Sequence, residues 1–346
     1  MPEGETLILV GHDIYTDSST RIEIEDGSAV LVSVPYLSEY SSSLVYNVVL
    51  DEQTLNLSDR GELIPIVRVE GGTLKNDFNL NTGESIDLKG RINVSGMEGR
   101  EMFINGGDIK LYNDILVGSS ILRGGSISAE DIGNGIQVRA ETMGLFNAAG
   151  LSTSSFISEE QRDLAPGDSK SILIDLSNDL VLSTLIEGKD SVWVSIRPDS
   201  ESGVKGDVSI APCTLILTSG TISTGSLKDN SGHITIRLDA ALRAGKESPD
   251  SLESFISTSI VDVEDPSLLG SAGDIIIDAH SMTLNDSSQI QSVGSFGGNS
   301  GDINVSLSGS LLFTTPAIRD FESGIYQKAF GDGDGGDISV NAQSIT

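Results

Sequence analysis

The chain has 346 residues, and its 51 acidic against 21 basic side chains give a formal net charge of −30, which disfavours binding to nucleic-acid phosphates or anionic membrane surfaces. The single cysteine, Cys213, excludes an internal disulfide, and with only three separated histidines a conventional structural zinc site is excluded too. Thirty-nine glycines and many short Ile, Val and Leu runs between Ser, Asn and Asp favour an all-β protein of short strands.

The N-terminal segment is not expected to be a secretory signal. Its first residues, MPEGETLILVGHD, lack the basic region and the cleavage site of a secretory signal, and no run in the chain approaches the roughly 20 apolar residues of a membrane-spanning helix. The chain is therefore either cytoplasmic or an internal piece of a larger protein. The repeats described next favour the second interpretation, because Thr346 falls part-way through a unit.

A five-residue pattern recurs along the second half: Gly, Asp or His, Ile or Val, any residue, then Ile or Val. Its copies begin at Gly206, Gly232, Gly273, Gly301 and Gly336, with a near match at Gly107. Successive copies are 26, 41, 28 and 35 residues apart. The two long intervals contain polar, proline-bearing stretches at 243–270 and 314–335, which we interpret as loops inserted between repeated units.

Each unit predicts three short strands with alternating apolar residues. After Gly273 these residues are Ile275, Ile277, Met282, Leu284 and Ile290. A unit of this size cannot bury one side of its strands alone, so the units are expected to stack into a three-faced parallel β-helix. The pattern glycines are expected to supply positive φ at the corners. A coil of about 25 residues predicts on the order of a dozen coils and a length of about 60 Å.

The whole of 1–346 is thus predicted to be one β-helix repeat region. Less regular coils or insertions are expected near 35–65, 151–205, 243–270 and 314–335.

The repeat is similar to that of a known family. The stretches that carry the resemblance are Gly298-Asn299-Ser300-Gly301-Asp302-Ile303, the segment LILTSGTIST from Leu215, and the N-terminal segments 4–14 and 29–34. They resemble the filamentous haemagglutinin family of cyanobacterial type, over most of the chain and least at 35–65 and 151–205. The resemblance implies a right-handed parallel β-helix, export by two-partner secretion through an outer-membrane transporter, and a secreted or outer-membrane, cell-surface location in a Gram-negative-type bacterium.

The resemblance also implies a function: an adhesin-like structural rod that attaches to a glycan or protein on a host or neighbouring cell. Two alternatives remain open. The segment would instead be a passive spacer for a binding head elsewhere in the parent protein, or a polysaccharide-degrading β-helix enzyme. No short acidic and basic constellation stands out in the sequence, so we expect no enzyme and no cofactor.

Aromatic residues give the binding candidates. Trp193 alternates with apolar neighbours and is expected to point outward, either towards a partner or beneath a neighbouring insertion. Phe321, Tyr326 and Phe330 concentrate aromatic surface in 314–335. Because loops on rigid scaffolds often carry binding, this insertion is the first candidate contact surface.

The pattern acids suggest a second kind of site. Asp207, Asp274, Asp302 and Asp337 would stack on successive coils, where calcium would relieve their mutual repulsion. The favoured interpretation is that an Asp after Gly accepts hydrogen bonds from turn amides, since His233 interrupts the series.

The remaining cysteine and histidines are expected to be structural. Cys213 is on the inward phase and predicts a small buried side chain. His12, His233 and His280 are isolated in sequence and are expected in turns. The segment GDGDGGD at 331–337 has one copy and predicts a flexible turn rather than a calcium-binding repeat.

Overall fold

A computed structural model gives the structure of the chain. It describes residues 7–11, 13–16, 21–25, 29–33, 47–50, 53–56, 67–70, 73–76, 85–89, 91–96, 102–112, 116–121, 134–146, 149–155, 171–183, 194–200, 206–226, 230–246, 253–260, 270–295, 297–314 and 322–346. All regular elements in these ranges are strands, numbered β1 to β31.

Strands of the described chain form three parallel stacks, one for each face of a coil. The first face contains β1 (Leu7–Gly11), β4 (Ala29–Ser33), β11 (Met102–Tyr112), β13 (Asn134–Phe146), β15 (Ser171–Leu176), β18 (Val208–Ala211), β21 (Ile234–Arg237), β24 (Ile275–Ala279), β27 (Ile303–Leu307) and β30 (Ile338–Asn341). The second contains the ends of β11 and β13 with β2 (Ile14–Tyr15), β9 (Ser85–Lys89), β16 (Asp179–Ser183), β19 (Thr214–Thr218), β22 (Ala241–Gly245), β25 (Ser281–Leu284), β28 (Ser310–Phe313) and β31 (Ser344–Ile345). The third contains β3 (Arg21–Glu25), β10 (Arg91–Gly96), β12 (Leu116–Ile121), β14 (Gly150–Ser155), β17 (Val194–Ser200), β20 (Gly220–Ser226), β23 (Phe255–Ile260), β26 (Gln289–Gly294) and β29 (Gly324–Ala329).

The predicted parallel β-helix is confirmed. Along the first face Val208 pairs with Ile234, Ile234 with Ile275, Ile275 with Ile303, and Ile303 with Ile338, so each copy of the five-residue pattern begins one coil. The irregular spacing of the copies therefore leaves the register unbroken. Residues inserted into a coil leave the stack without shifting the strands that follow.

The described strands make ten levels on the first face. Ten levels at the spacing of paired strands extend roughly 43 Å, less than the length expected from the chain's size. Residues inserted within coils account for the difference. Ser33 ends β4 and Ser85 begins β9, the next strand of the same coil.

The near match at Gly107 occupies a different face from the other copies. Asp108 pairs with Ser85 of β9 and Thr142 of β13, which lie on the second face. The first-face part of β11 is instead the stretch around Ile104, which pairs with Val138. β11 continues from the first face to the second as one strand. The alternation of apolar residues after Gly107 therefore resembles the start of a coil, although it lies in the middle of one.

Inward side chains form a single core. Ile275, Ile277, Met282, Leu284 and Ile290 are all at most 1% exposed, as their alternation predicts. Their counterparts on neighbouring coils belong to the same cluster, so each level between the first and the last is covered above and below by mostly apolar inward side chains. Full burial of each such side chain stabilises the fold by about 1.5 to 3 kcal/mol.

Two stretches interpreted as inserted loops contain a strand of the third face. β23 lies within 243–270 and pairs with β20, and β29 lies within 314–335 and pairs with β26. The inward residues here include Thr258 and Gln327, so the strands lack the apolar alternation by which the others were recognised. The stretch 151–205 likewise contains most of β14 and all of β15, β16 and β17, which pair with strands of neighbouring coils.

A separate four-stranded sheet occupies part of the segment between β4 and β9. It consists of β5 (Asn47–Leu50), β6 (Gln53–Asn56), β7 (Val67–Glu70) and β8 (Thr73–Asn76). Two antiparallel hairpins, β5 with β6 and β7 with β8, are joined by the parallel pairing of β5 with β7.

Among the described residues no helix is long and apolar enough to cross a membrane.

Candidate functional site: polar ladders and a corner cleft

The pattern acids form a ladder between coils. The Asp207 carboxylate accepts a hydrogen bond from the backbone N–H of His233 at 2.8 Å, and Asp274 and Asp302 accept in the same way from Asp302 and Asp337. His233 fills the gap, since its Nδ1 accepts from the N–H of Asp274 at 2.9 Å. Each side chain thus accepts a backbone hydrogen bond from the equivalent residue of the next coil.

This geometry supports the amide-capping interpretation for Asp207, Asp274 and Asp302, whereas Asp337 contributes its backbone N–H to the ladder. Within the described ranges no group of three or more His, Cys, Asp or Glu side chains could hold a metal ion. One carboxylate oxygen of Asp207, Asp274 and Asp302 is already used by an amide. A histidine can replace an aspartate in the ladder because an unprotonated ring nitrogen is also an acceptor.

Residues just before the pattern make parallel ladders. Asn299 Oδ1 accepts from the N–H of Asp334 at 2.8 Å, and Ser300 Oγ accepts from the N–H of Gly336 at 2.9 Å. Two intervals earlier, Ser231 Oγ accepts from the N–H of Gly273 at 2.8 Å. The Asn-Ser-Gly sequence, which occurs at 230–232 and 299–301, therefore supplies side-chain acceptors for the backbone of the following coil.

Close approach between coils, rather than positive φ, explains the pattern glycines. A Cβ added to Gly232, Gly273, Gly301 or Gly336 would lie 2.1 to 2.6 Å from the carbonyl oxygen of the preceding pattern glycine. Positive φ occurs elsewhere in the described chain, at Ser219, Asp286, Ser287, Gly297 and Gly331. The expectation of positive φ at the pattern glycines is therefore wrong. Glycine is needed at these positions because the coils approach too closely to admit a side chain.

Buried hydroxyls on the third face close each coil onto the next. Thr224, Thr258 and Ser292 form one inward column and are fully buried. Thr224 Oγ1 donates to the Gly232 carbonyl and Thr258 Oγ1 to the Gly273 carbonyl, both at 2.6 Å. These bonds satisfy carbonyl groups that turn towards the core at the start of the following coil.

The corner between the first and second faces alternates in length. Between register-matched inward residues of the two faces the chain advances six residues at 174–180, 236–242 and 305–311, and five residues at 210–215, 277–282 and 340–345. Because the inward residues stay in register, the extra residue of each long corner must lie outward. Long and short corners therefore alternate over these six coils, whereas the two preceding coils, at 104–109 and 138–143, both advance five residues.

Side-chain size follows the same alternation. Two positions after the inward first-face residue, the long corners carry Leu176, Leu238 and Leu307, whereas the short corners carry Pro212 and Ala279. These five side chains are largely buried. The short corners thus combine fewer backbone atoms with smaller side chains, and they are recessed between their neighbours.

A cleft of about 730 Å³ runs along these corners. Its apolar floor includes the leucines of the long corners together with Pro212 and Ala279. Its walls carry Asp239, His280 and Ser308, and the Nδ1 of His280 lies 2.9 Å from the hydroxyl of Ser308. The cleft spans several coils and follows the direction of the stack.

Charged side chains line the first-face edge of the cleft. Asp175, Arg237 and Asp278 lie in one outward column, and Arg237 Nε is 4.0 Å from a carboxylate oxygen of Asp278. Asp175 lies 3.3 Å from Arg139 of the preceding coil. Both ion pairs are exposed to solvent and therefore contribute little to the stability of the fold. The same exposure leaves the side chains that line the cleft accessible to a ligand.

Cys213 lies in the same corner, contrary to the expectation of full burial. It belongs to the two-residue link between β18 and β19 and is only half-buried. Its backbone N–H donates to the Asn178 carbonyl at 2.7 Å, and its carbonyl accepts from Ala240 at 2.9 Å. The alternation of inward and outward residues in β19 does not continue back to Cys213, because Cys213 lies in the turn before that strand. His233 and His280 lie outside strands, as expected, and His12 is outside the described residues.

Two of the four aromatic binding candidates can be located. Tyr326 lies on the outward side of β29, where its hydroxyl donates to the Glu322 carbonyl at 3.1 Å and Lys328 Nζ is 5.9 Å from the ring centre. Phe330 follows β29 and is 54% exposed. Trp193 and Phe321 lie outside the described residues. Burial, and secondarily the charge of Glu322, raises the pKa of Tyr326 above its ordinary value.

The segment 331–337 is a turn between β29 and β30. The positive φ of Gly331, 82°, belongs to this turn. Asp334 and Asp337 in it donate backbone N–H groups to the preceding coil, so the turn is tied to the ladders.

The corner cleft is not predicted by the sequence analysis. Its signal, the alternation of five and six residues between matched apolar positions, requires six coils to be aligned at once. The intervals between pattern copies vary far more than one residue and hide it.

No protein-family model, curated protein or solved structure matches this chain.

Proposed function

We propose that the chain is part of a secreted, cell-surface adhesin-like rod of the filamentous haemagglutinin type. The observation that carries this proposal is the polar ladder, in which the recurring Asp, Asn and Ser side chains accept backbone hydrogen bonds from the next coil. Residues that recur for this purpose serve the stacking of coils. An extended stack is what a rod that holds a binding surface away from a cell requires.

Attachment is proposed to occur through surface around 314–335. Phe330 is exposed, and Tyr326 and Lys328 lie side by side on the outward surface of β29. An amphipathic aromatic ring beside a cation suits a glycan or protein on another cell. The outer-membrane transporter of two-partner secretion is the partner proposed for export of the parent protein.

A cell-binding assay tests the adhesive function. Beads coated with the chain are expected to attach to bacterial or host cells, and the double substitution Tyr326→Ala and Phe330→Ala is expected to reduce attachment. Deleting 314–335 is unsuitable, because β29 would be lost from the third face. Tyr15→Ala is the matched control, since Tyr15 is also an exposed aromatic residue but lies in the first described coil.

The outcomes separate the candidate functions. Attachment that falls in the double variant and not in Tyr15→Ala supports the adhesin. Absence of attachment by the unaltered chain overturns it in favour of a passive spacer. Release of reducing ends from a polysaccharide, measured on the same preparation, would overturn it in favour of an enzyme.

A further inference from the structure

The corner cleft has the features of a ligand site, and its polar lining takes no part in the ladders that join the coils. The ladders use the residues at the start of the first face, whereas the cleft is lined by residues at its end. A small-molecule site is typically a concave surface with an apolar lining and a few convergent polar groups. The cleft is concave and has convergent polar groups, but its Leu, Pro and Ala floor is largely buried and polar groups make up more than half of its exposed lining, so it suits a polar ligand.

Charge limits the chemistry of the ligand. Three carboxylates, Asp175, Asp239 and Asp278, line the cleft with one guanidinium, Arg237, in a protein of net charge −30. A sulfated or uronic-acid polymer would be repelled. Carboxylates, hydroxyls and an imidazole are instead suited to the hydroxyl groups of a neutral ligand, because each accepts or donates a hydrogen bond.

The geometry of the cleft favours an extended chain. Pro212 and Ala279 mark recesses two coils apart, which is about 9.6 Å at the spacing of paired strands. From Leu176 to Leu307 the floor extends over four coil-to-coil spacings, or about 19 Å. A groove that spans several coils, with two recesses two coils apart, matches a glycan whose sugar rings lie over the floor and present hydroxyl groups to the walls.

We propose that the corner cleft binds a neutral, extended, β-1,4-linked glycan chain lying along the stack of coils. The site is formed by other residues than those proposed for attachment around 314–335. It would give the proposed adhesin a glycan ligand, and in that respect it rests on the proposed function. Binding to a purified oligosaccharide does not depend on cell attachment, so the two proposals can fail separately.

Calorimetric titration of the whole chain with cellohexaose and chitohexaose tests the proposal. At least one is expected to bind with a Kd below about 1 mM. Maltohexaose, whose α-linkages curve the chain, and a sulfated heparin hexasaccharide are expected not to bind. Amide spectra of the labelled protein are expected to change at Asp239, Ala279 and His280 in the presence of the bound sugar.

Matched substitutions locate the site. Arg237→Ala and Asp239→Asn are each expected to weaken binding about tenfold, the effect of losing one charge-assisted hydrogen bond. Arg243→Ala and Asp332→Asn are expected to change it less than about twofold, because both side chains are exposed and neither lines the cleft. Unchanged amide spectra elsewhere would show that the variants remain folded.

Three results would overturn the inference. These are no binding of either β-1,4-linked hexasaccharide, equal binding of maltohexaose or the heparin fragment, and equal loss of affinity in the cleft and control variants. If cell attachment nevertheless persists, the adhesin stands and the cleft is not its glycan site. If sugar binds in the cleft and cells do not attach, the site stands without the adhesive function.

Discussion

The carboxylate of Asp274 accepts a hydrogen bond from the backbone N–H of Asp302, 28 residues further along the chain, at 2.8 Å. The two residues occupy the same position on consecutive coils, and Asp302 repeats the contact with Asp337. The carboxylates of this column carry like charges, and each of those two also accepts a backbone hydrogen bond from the next residue of the column. Like-charge repulsion in the column is offset by one amide donor for each step.

Removing one acceptor is expected to loosen the next coil locally. Asp274→Ala would leave the Asp302 amide without its partner, at a cost of about 1 to 2 kcal/mol, whereas Asp274→Asn keeps an acceptor oxygen and is expected to cost less. Hydrogen exchange at the Asp302 amide measures the effect directly. Asp332→Ala is the control on an exposed turn residue. Equal exchange rates at Asp302 in the Ala variant and the unaltered chain would contradict the ladder.

The histidine step of the ladder should accept aspartate. His233→Asp is expected to fold normally and to keep the Asp274 amide protected, because Asp at this position makes the same contact in neighbouring coils. His233→Leu, of similar size but with no acceptor, is expected to expose that amide to exchange. If Leu protected the Asp274 amide as well as Asp does, the bond to Nδ1 would not be the reason for the residue.

Most of the fold could be predicted from apolar alternation. Val208, Ile210, Leu215, Leu217 and Ile222 are all inward and buried, as their spacing predicts. Recognition failed where the inward residue is polar. Thr258 is fully buried because its hydroxyl is satisfied by the Gly273 carbonyl, and such a partner cannot be read from a hydropathy pattern.

The candidate sites were predictable only in part. Aspartate as an amide acceptor follows from local turn chemistry, and its placement on successive coils follows from the repeat. The cleft depends on one-residue differences in corner length and on Leu facing Pro or Ala across coils. Those relations are defined only by the register, which the variable intervals between pattern copies conceal.

Tyr326 gives a prediction on pH. Burial and the Glu322 carboxylate raise the pKa of Tyr326, so its hydroxyl is expected to ionise at a higher pH than an ordinary tyrosine, whose pKa is about 10. A folded pKa above the unfolded value contributes stability that is fully present below the unfolded pKa and is lost as pH rises through the folded pKa. Stability is therefore expected to fall above about pH 10.

Carbon chemical shifts of labelled tyrosine, assigned with Tyr326→Phe, measure this titration. Glu322→Gln is expected to lower the midpoint only partly, since burial is the larger cause. A midpoint at or below the ordinary tyrosine value would contradict the prediction. So would a Gln variant that abolishes the whole shift.

Tight packing between coils makes the pattern glycines irreplaceable. A Cβ on Gly273 would lie 2.1 Å from the carbonyl oxygen of Gly232, a backbone atom that cannot rotate away, whereas a Cβ on Gly335 would meet nothing within 4 Å. Gly273→Ala is expected to destabilise the chain by about 2 to 4 kcal/mol, because two coils must separate to admit the methyl group. Gly335→Ala is expected to change stability by less than about 0.5 kcal/mol. Chemical denaturation followed by circular dichroism measures both, and equal stability of the two variants would mean that the coils do not approach as closely as the ladder requires.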